Sequence, residues 1–563
     1  MTDDIPPPSV NDPLAATPSH PRDGAPWLHA VFASAPYRLT LWAPPPRGLT
    51  PLAGRPWPGA PDVGALLTDG EFTFDGERHR LAAIYALPED VSRPWLEKLH
   101  GFHWLNDLSV SSDPRARYQA RIHIDGWLGR YQNYVPLPWR ADILSERLIN
   151  WIWNFEFLAR GAPDAFERRL LGAIERQCRH LARVAGPRRD GAGRIHRAKA
   201  LIFCACALPG KTRLLHRALK QLERGLALQV LADGGHVERN PERLLDVLRD
   251  CIDVRAVLLG AGQNVPAEVQ GAIDRIAPMV RAMRHGDGGL ALFNGAHEGA
   301  RDAIDLLLAQ ADTRSQAPAS APHTGFQRLG AANTLVIMDT GAPSQDIGYD
   351  THAGTLSFEM SSGKNRIVVN CGARNDASDP WHGALRATAA HSTLGLGGHD
   401  SSTFTPAGAV RRAARVTHCE RRPSDEGILV EAAHDGYVEK FGLIHHRALF
   451  LAHDGLSLRG EDRLDPAAAP RDDGADLRAI AFDIRFHLHP TVQVSPVQGG
   501  HGVLLKIGRK EIWRMRANGA EVALEESVYL GREDGRKRSE QIVLRGKTSA
   551  AGALVKWAFI REA

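Results

Sequence analysis

The segment Asp233-Gly-Gly-His-Val-Glu-Arg-Asn-Pro concentrates residue types that can handle an anion or move a proton. Asn240 followed by Pro241 reads as a helix N-cap and a first helical residue. His236, Glu238 and Arg239 then lie on a loop feeding a helix N-terminus, where free N–H groups and the helix dipole attract negative charge. Arg239 has the forked geometry to pair with a carboxylate through two bonds, and His236 is placed to act as a base or to orient one. In the plainer reading, His236 and Glu238 stabilise the loop and Arg239 is solvated. Residue types alone favour that one.

Four motifs in order widen the picture. LERGLALQVLADGGHVERNPERLLDVL resembles the heparinase II/III stretch D-G-G-H-x-E-R-S-P, and YDTHAGTLSFEMSSGKNRIVVNCGA resembles that family's H-x-H-A-D-A-L-S-F-E-L followed by V-D-P-G. RATAAHSTL resembles R-S-T-x-A-H-N-T, and GRIHRAKALIFCACAL sits where the family has G-N-H-x-x-x-N-A-K-A-L. The resemblance runs over roughly residues 90 to 560. The fold it implies is α+β and multidomain: an N-terminal α/α toroid (an incomplete helical barrel) followed by a C-terminal antiparallel β-sandwich. The activity it implies is a polysaccharide lyase that cleaves an acidic, uronate-containing polysaccharide by β-elimination.

Such a reaction needs the uronate carboxylate neutralised, the C5 proton removed and the departing O4 protonated. Carried onto this chain, the resemblance gives His236, Arg239 and His352 as catalytic candidates, and the residues themselves add Tyr437. Glu238, Asn240, Arg243 and Arg386 become substrate-binding candidates, with Arg386 either bracing the site or holding an anion. His352, Asn370 and His391 fall on the family's metal-binding positions, which implies a structural zinc or calcium ion. Histidines 236, 352 and 391 with Arg239 and Arg243 would line a groove between toroid and sandwich.

The departures matter as much. Arg243 stands where the family has its catalytic tyrosine, and a guanidinium cannot replace a phenol as proton carrier. Ala192 and Gly193 occupy the family's Asn-His pair. Asp350 replaces the first histidine of H-x-H, and Asn370 replaces an aspartate, which lowers the charge of the metal set although Asp350 can contribute. Tyr437, with His434 before it and His445, His446 and Arg447 after it, is the remaining proton carrier if a neighbouring cation lowers its pKa. Its alternative is an ordinary strand tyrosine.

These departures keep three readings open: a working lyase, a catalytically silent glycan-binding protein serving envelope polysaccharide assembly or export, and a hydrolase using Asp233 and Glu238. The last is disfavoured, because glycosidase carboxylates face each other across the substrate.

The elements that must position these residues follow from periodicity. Residues 1–26 are proline-rich and read as a disordered leader. Residues 27–310 form the helical domain, whose front is dense in tryptophan; nine of twelve fall before residue 154. Trp104, Trp151 and Trp153 can stack on sugar rings, but packing is the better reading for most of the tryptophans. In DAFERRLLGAIERQCRHLARVA, Phe166, Leu170, Leu171, Ile174, Cys178 and Leu181 share one helical face behind an Asp164/Glu167 capping box. Residues 311–325 are a linker by composition, and 326–563 alternate with the period-two pattern of a sandwich. TLSFEM and NRIVVNCG form a hairpin about a Ser-Ser-Gly turn.

Bulk composition is that of a folded globular chain, 43% hydrophobic and 24% charged, with a net charge of +4 spread over 563 residues. It gives nucleic-acid binding no support, and the expected partner is an anionic polysaccharide or oligosaccharide. The six cysteines are scattered, and Cys204 with Cys206 reads as a pair of buried thiols. No stretch spans a bilayer, and the N-terminus lacks the basic and apolar regions of a secretory signal. This points to the cytoplasm, whereas the family resemblance points to the periplasm or cell envelope.

Overall fold

The computed structural model describes residues 26–562 apart from 53, 82–86, 88–90, 185–192, 345–350, 375–378, 406–407, 468–478, 498–501, 510, 533–534 and 550. Residues 1–25 of the expected leader, Ala192 and Asp350 lie outside the described residues, while Pro26, the last residue of that expected leader, opens the helix Pro26–Ala33. The chain divides into two compact units, one of Met1–Leu226 with Arg249–Gln270 and one of Ala227–Leu248 with Gly271–Ala563. Composition changes at 311–325, but the compact units part elsewhere, so the loop at 231–240 belongs with the sandwich.

The first unit is mostly helical. The helix Asp164–Val184 buries Phe166, Leu170, Leu171, Ile174, Cys178 and Leu181, the face its spacing marks. It starts at Asp164 itself, so that acid sits in the first turn and not at the cap. Ser92 caps Arg93–Gly101 by accepting from the Trp95 N–H, and Phe102 ends that helix in the left-handed region at φ 60°.

Trp104, Trp127 and Trp151 are buried in one cluster with Phe102, whose ring meets Trp127 and Trp151 edge-to-face and Trp104 at a 32° tilt; the Trp127 and Trp151 rings cross at 88° with centroids 5.3 Å apart. The Arg147 guanidinium is buried 4.2 Å over Trp127 and donates to Gln177 Oε1 and the His100 carbonyl. Trp104 and Trp151 are therefore core. Trp153 is half-buried beneath Arg55, 5.0 Å above the ring.

The unit also holds a charged centre. Lys199 Nζ lies 2.7 Å from both Asp250 Oδ1 and Asp253 Oδ2, while His196 lies between Glu146 (2.9 Å) and Asp250 (3.2 Å). Burial lowers the His196 pKa, but Glu146 and Asp250 outweigh it and hold the imidazole up to about 10.

In the second unit two antiparallel sheets face each other. One is eight-stranded, in spatial order Val416–Pro423, Gly427–His434, Leu443–Ala452, Ser457–Pro466, Ala553–Arg561, Glu511–Asn518, Gly502–Ile507 and Val492–Pro496. The other is nine-stranded, running from Glu521–Tyr529 through Lys537–Lys547, Ala481–Leu488, Asn365–Val369, Phe358–Ser362, Thr334–Asp339 and Phe326–Ala331 to Ser320–Ala321, with Leu394–Leu396 paired beside Ala481–Leu488.

Strand alternation builds the shared core: Leu443–Ala452 buries every second residue, and Phe358 of one sheet stacks on Trp557 of the other at 5.6 Å and 7°. The Phe358–Ser362 and Asn365–Val369 hairpin forms, but its turn is Gly363-Lys364 at φ 52°, with both serines inside the strand.

Candidate functional site

The loop between the helices Thr212–Gln229 and Pro241–Gly260 is held from within. Asp233 accepts from the Gly235 N–H, the Thr324 N–H and the Thr324 hydroxyl at 2.6–3.1 Å. A Cβ on Gly235 would fall 1.7 Å from Thr324 Oγ1, so only glycine fits there. These bonds place Asp233 in a turn-holding role and leave the Asp233/Glu238 hydrolase reading without support. Asn240 caps the following helix through Oδ1, which accepts from the N–H groups of Glu242 (2.8 Å) and Arg243 (3.4 Å).

His236 is buried, with Nδ1 accepting from the Glu238 N–H at 3.2 Å and Nε2 donating to Gln229 Oε1 at 3.3 Å. Burial, with Arg243 adding, lowers its pKa to about 3. Both nitrogens are thus engaged on a neutral ring. The ring holds the loop and is not poised to take a proton near neutrality.

Arg239 corrects the sequence reading most clearly. It adopts φ 58°, and its buried guanidinium donates to the carbonyls of Thr324 (2.7 Å), Ala342 (3.1 Å) and Gly325 (3.2 Å) while ion-pairing with Asp339. The same group sits 4.9 Å over Phe326 and packs so tightly on Gly341 that a Cβ there would come within 2.5 Å. This arginine joins the loop to the sandwich; its donors are not directed at a substrate carboxylate.

The more exposed groups are Arg243 and the acids around it. Arg243 is 29% exposed and pairs with Glu238 (3.3 Å) and Asp246 (3.1 Å). Glu242 accepts from His297 Nδ1 at 3.2 Å. Asn294, at φ 49°, donates to the Arg239 carbonyl at 3.2 Å and accepts from the His352 N–H at 3.4 Å, linking the loop to the sandwich histidine. Neither Asn294 nor His297 stood out in the sequence. Only the Asn-Gly turn signal marks the former, and nothing in the spacing ties either to the loop.

His352 and His391 do meet, Nδ1 to Nε2 at 3.1 Å with rings at 81°. His391 Nδ1 donates to the Ala387 carbonyl, so its Nε2 accepts from His352. Burial depresses both pKa values, that of His391 to about 4. Asn370 lies nearby, but its amide donates to the Leu292 carbonyl and accepts from the Ser392 N–H.

The facing nitrogens of His352 and His391 bond each other, His391 Nδ1 is committed to a carbonyl and the Asn370 amide is engaged on both atoms, so as arranged these residues offer no convergent nitrogen set for zinc and a single oxygen for calcium, and fit neither ion. The adjacent carboxylate, Glu359, is engaged by His285 and by the N–H groups of Leu292 and Asn370. Among the described residues no group of three or more His, Cys, Asp or Glu is arranged to hold a metal. Arg386 braces the His352 segment, donating to the Thr351 and Gly408 carbonyls with its guanidinium 4.1 Å over Phe404.

Tyr437 is core. Its hydroxyl donates to the Leu394 carbonyl at 2.7 Å, and burial together with Asp400 pushes its pKa up, opposite to the shift a proton carrier needs. Its neighbours form a buried chain in which His434 contacts His445 and His445 contacts Asp462 (2.7 Å). Asp462 also takes Arg447 and the Trp557 indole N–H.

A helical unit and an antiparallel sandwich with this loop on its flank define a lyase-like architecture. The chain belongs to the heparinase II/III-like family, whose C-terminal model matches residues 313–558. It is 31% identical over 545 residues to FtsZ-localized protein C of Caulobacter vibrioides, covering 93% of this chain and 92% of that protein. Solved structures share the fold at low identity. Heparinase III matches with a TM-score of 0.68 at 14% identity over 87% of this chain and 80% of its own. The heparan sulfate lyase HepC of Pedobacter heparinus matches at 0.60 and 14%, over 89% and 82%. Chondroitin AC lyase of Streptomyces coelicolor A3 matches at 0.53 and 12%, over 94% and 80%.

Proposed function

We propose that this protein binds an acidic, uronate-containing glycan without cleaving it, serving envelope polysaccharide assembly or export. The observation that carries the reading is Arg243 at the family's tyrosine position, ion-paired with Glu238 and Asp246. Of the other candidates, His236 is held neutral with both nitrogens engaged, Arg239 is turned into the sandwich, and Tyr437 lies in the sandwich core. The groups left partly toward solvent, Arg243 with Glu242 and Asp246, suit hydrogen bonding to hydroxyls and carboxylates and not proton transfer. A relative named for its localisation with FtsZ, and not for a reaction, agrees with this. The cytoplasm is the proposed compartment.

The test pairs two readouts on heparan sulfate, hyaluronan, alginate and polyglucuronate. Affinity electrophoresis is expected to show retarded migration that Arg243→Glu weakens. Ultraviolet absorbance of unsaturated uronate ends is expected to stay flat. An absorbance rise abolished by His236→Ala would overturn the reading in favour of β-elimination.

A further inference from the structure

The outer face of the eight-stranded sheet carries a groove unconnected with the loop site. Its cavity of about 530 Å³ falls in the size range of small-ligand pockets. Strand register arranges the side chains that line it into two transverse rows over five adjacent strands. One row runs Leu429, Phe450, Arg459, Ala558 and Arg516, each residue directly opposite the next. The parallel row runs Glu431, Ala448, Glu461, Lys556 and Asn518. Directly paired residues share a face, so both rows point away from the core.

The chemistry of the rows is asymmetric. Leu429 and Phe450 give an apolar platform, and alanines at 448 and 558 leave hollows between longer side chains. In the acidic row, Glu461 is matched by Lys556 at 3.5 Å and Glu431 by Arg422. Among the described residues, Arg459 has only a ring contact with Phe450 at 6.0 Å, and Arg516 pairs with no acidic side chain. The two guanidinium groups thus stand on either side of Ala558, both beyond the Phe450 edge of the apolar platform. They stand two strand spacings apart, roughly 10 Å, a separation suited to carboxylates on alternate residues of an extended sugar chain. All five strands are interior to the sheet, each paired on both sides, so a peptide cannot add there by backbone hydrogen bonding.

We infer that this groove is a second binding surface for an acidic glycan, with the pyranose C–H faces on Leu429 and Phe450 and two uronate carboxylates on Arg459 and Arg516. The inference rests on the proposed glycan-binding function but uses different residues, so the two can fail separately. The test titrates the full chain with size-defined hyaluronan and oligoguluronate octasaccharides by calorimetry, comparing the wild type with Arg459→Glu/Arg516→Glu, Ala558→Trp and Arg243→Glu. Thermal melts screen each variant for folding.

The expected result is at least a tenfold affinity loss in the double variant and in Ala558→Trp, which fills the groove without changing charge, while Arg243→Glu retains one of two binding events. Unchanged affinity in both groove variants, with loss only in Arg243→Glu, overturns the groove and leaves the loop reading standing. Absence of binding by the wild type to either probe overturns both. Displacement of bound glycan from neither site by an acidic amphipathic peptide is also expected; a peptide that binds the groove more tightly than either sugar overturns the glycan assignment.

Discussion

At Arg239 the choice between an outward and an inward guanidinium is made by backbone geometry. A left-handed φ of 58° turns the side chain toward Asp339, and three carbonyls complete its donor set. Removing one partner of a buried pair leaves the other charge uncompensated, so Asp339→Ala is expected to cost about 3–5 kcal/mol, read as a lower denaturant midpoint. Tyr437→Phe removes a hydroxyl bonded to a buried carbonyl. We expect it to cost about 1 kcal/mol and to leave glycan retardation unchanged. A proton carrier would behave oppositely, losing turnover with little loss of stability.

Among the elements, the helix Pro241–Gly260 starts where Asn-Pro marks it, and Asn240→Ala is expected to lower stability by about 1 kcal/mol, measurable by chemical denaturation. The charged centre of the helical unit makes a pH prediction. His196 is held protonated up to about pH 10 in the fold, against about 6.5 in an unfolded chain. Its contribution is therefore fully present below about pH 6.5 and is lost as pH rises toward 10. The stability gap between wild type and His196→Gln should narrow by a few kcal/mol over that interval; a gap that widened instead would contradict the ion cluster. The helical face of Asp164–Val184 and the alternation of Leu443–Ala452 were both legible beforehand, because burial follows the geometric period of each element.

For the molecule as a whole, the family and the order of a helical region followed by antiparallel sheets were within reach of the sequence. Motif order and periodicity are properties of the chain itself: the capped helix after Asn240, the hairpin at 358–369 and the packing tryptophans each follow from local rules. The roles of the individual site residues were not within reach. Arg239, His236 and Tyr437 have the residue types of a working site, and what each does depends on partners far away in sequence or on burial. Thr324, Asp339 and Ala342 claim the arginine, burial with Arg243 adding holds the histidine neutral while Gln229 accepts from its ring, and the Leu394 carbonyl takes the phenol. A side chain's charge state and direction are set by desolvation and by the nearest opposite charge. Those are properties of the assembled fold, and only the tertiary structure could decide them.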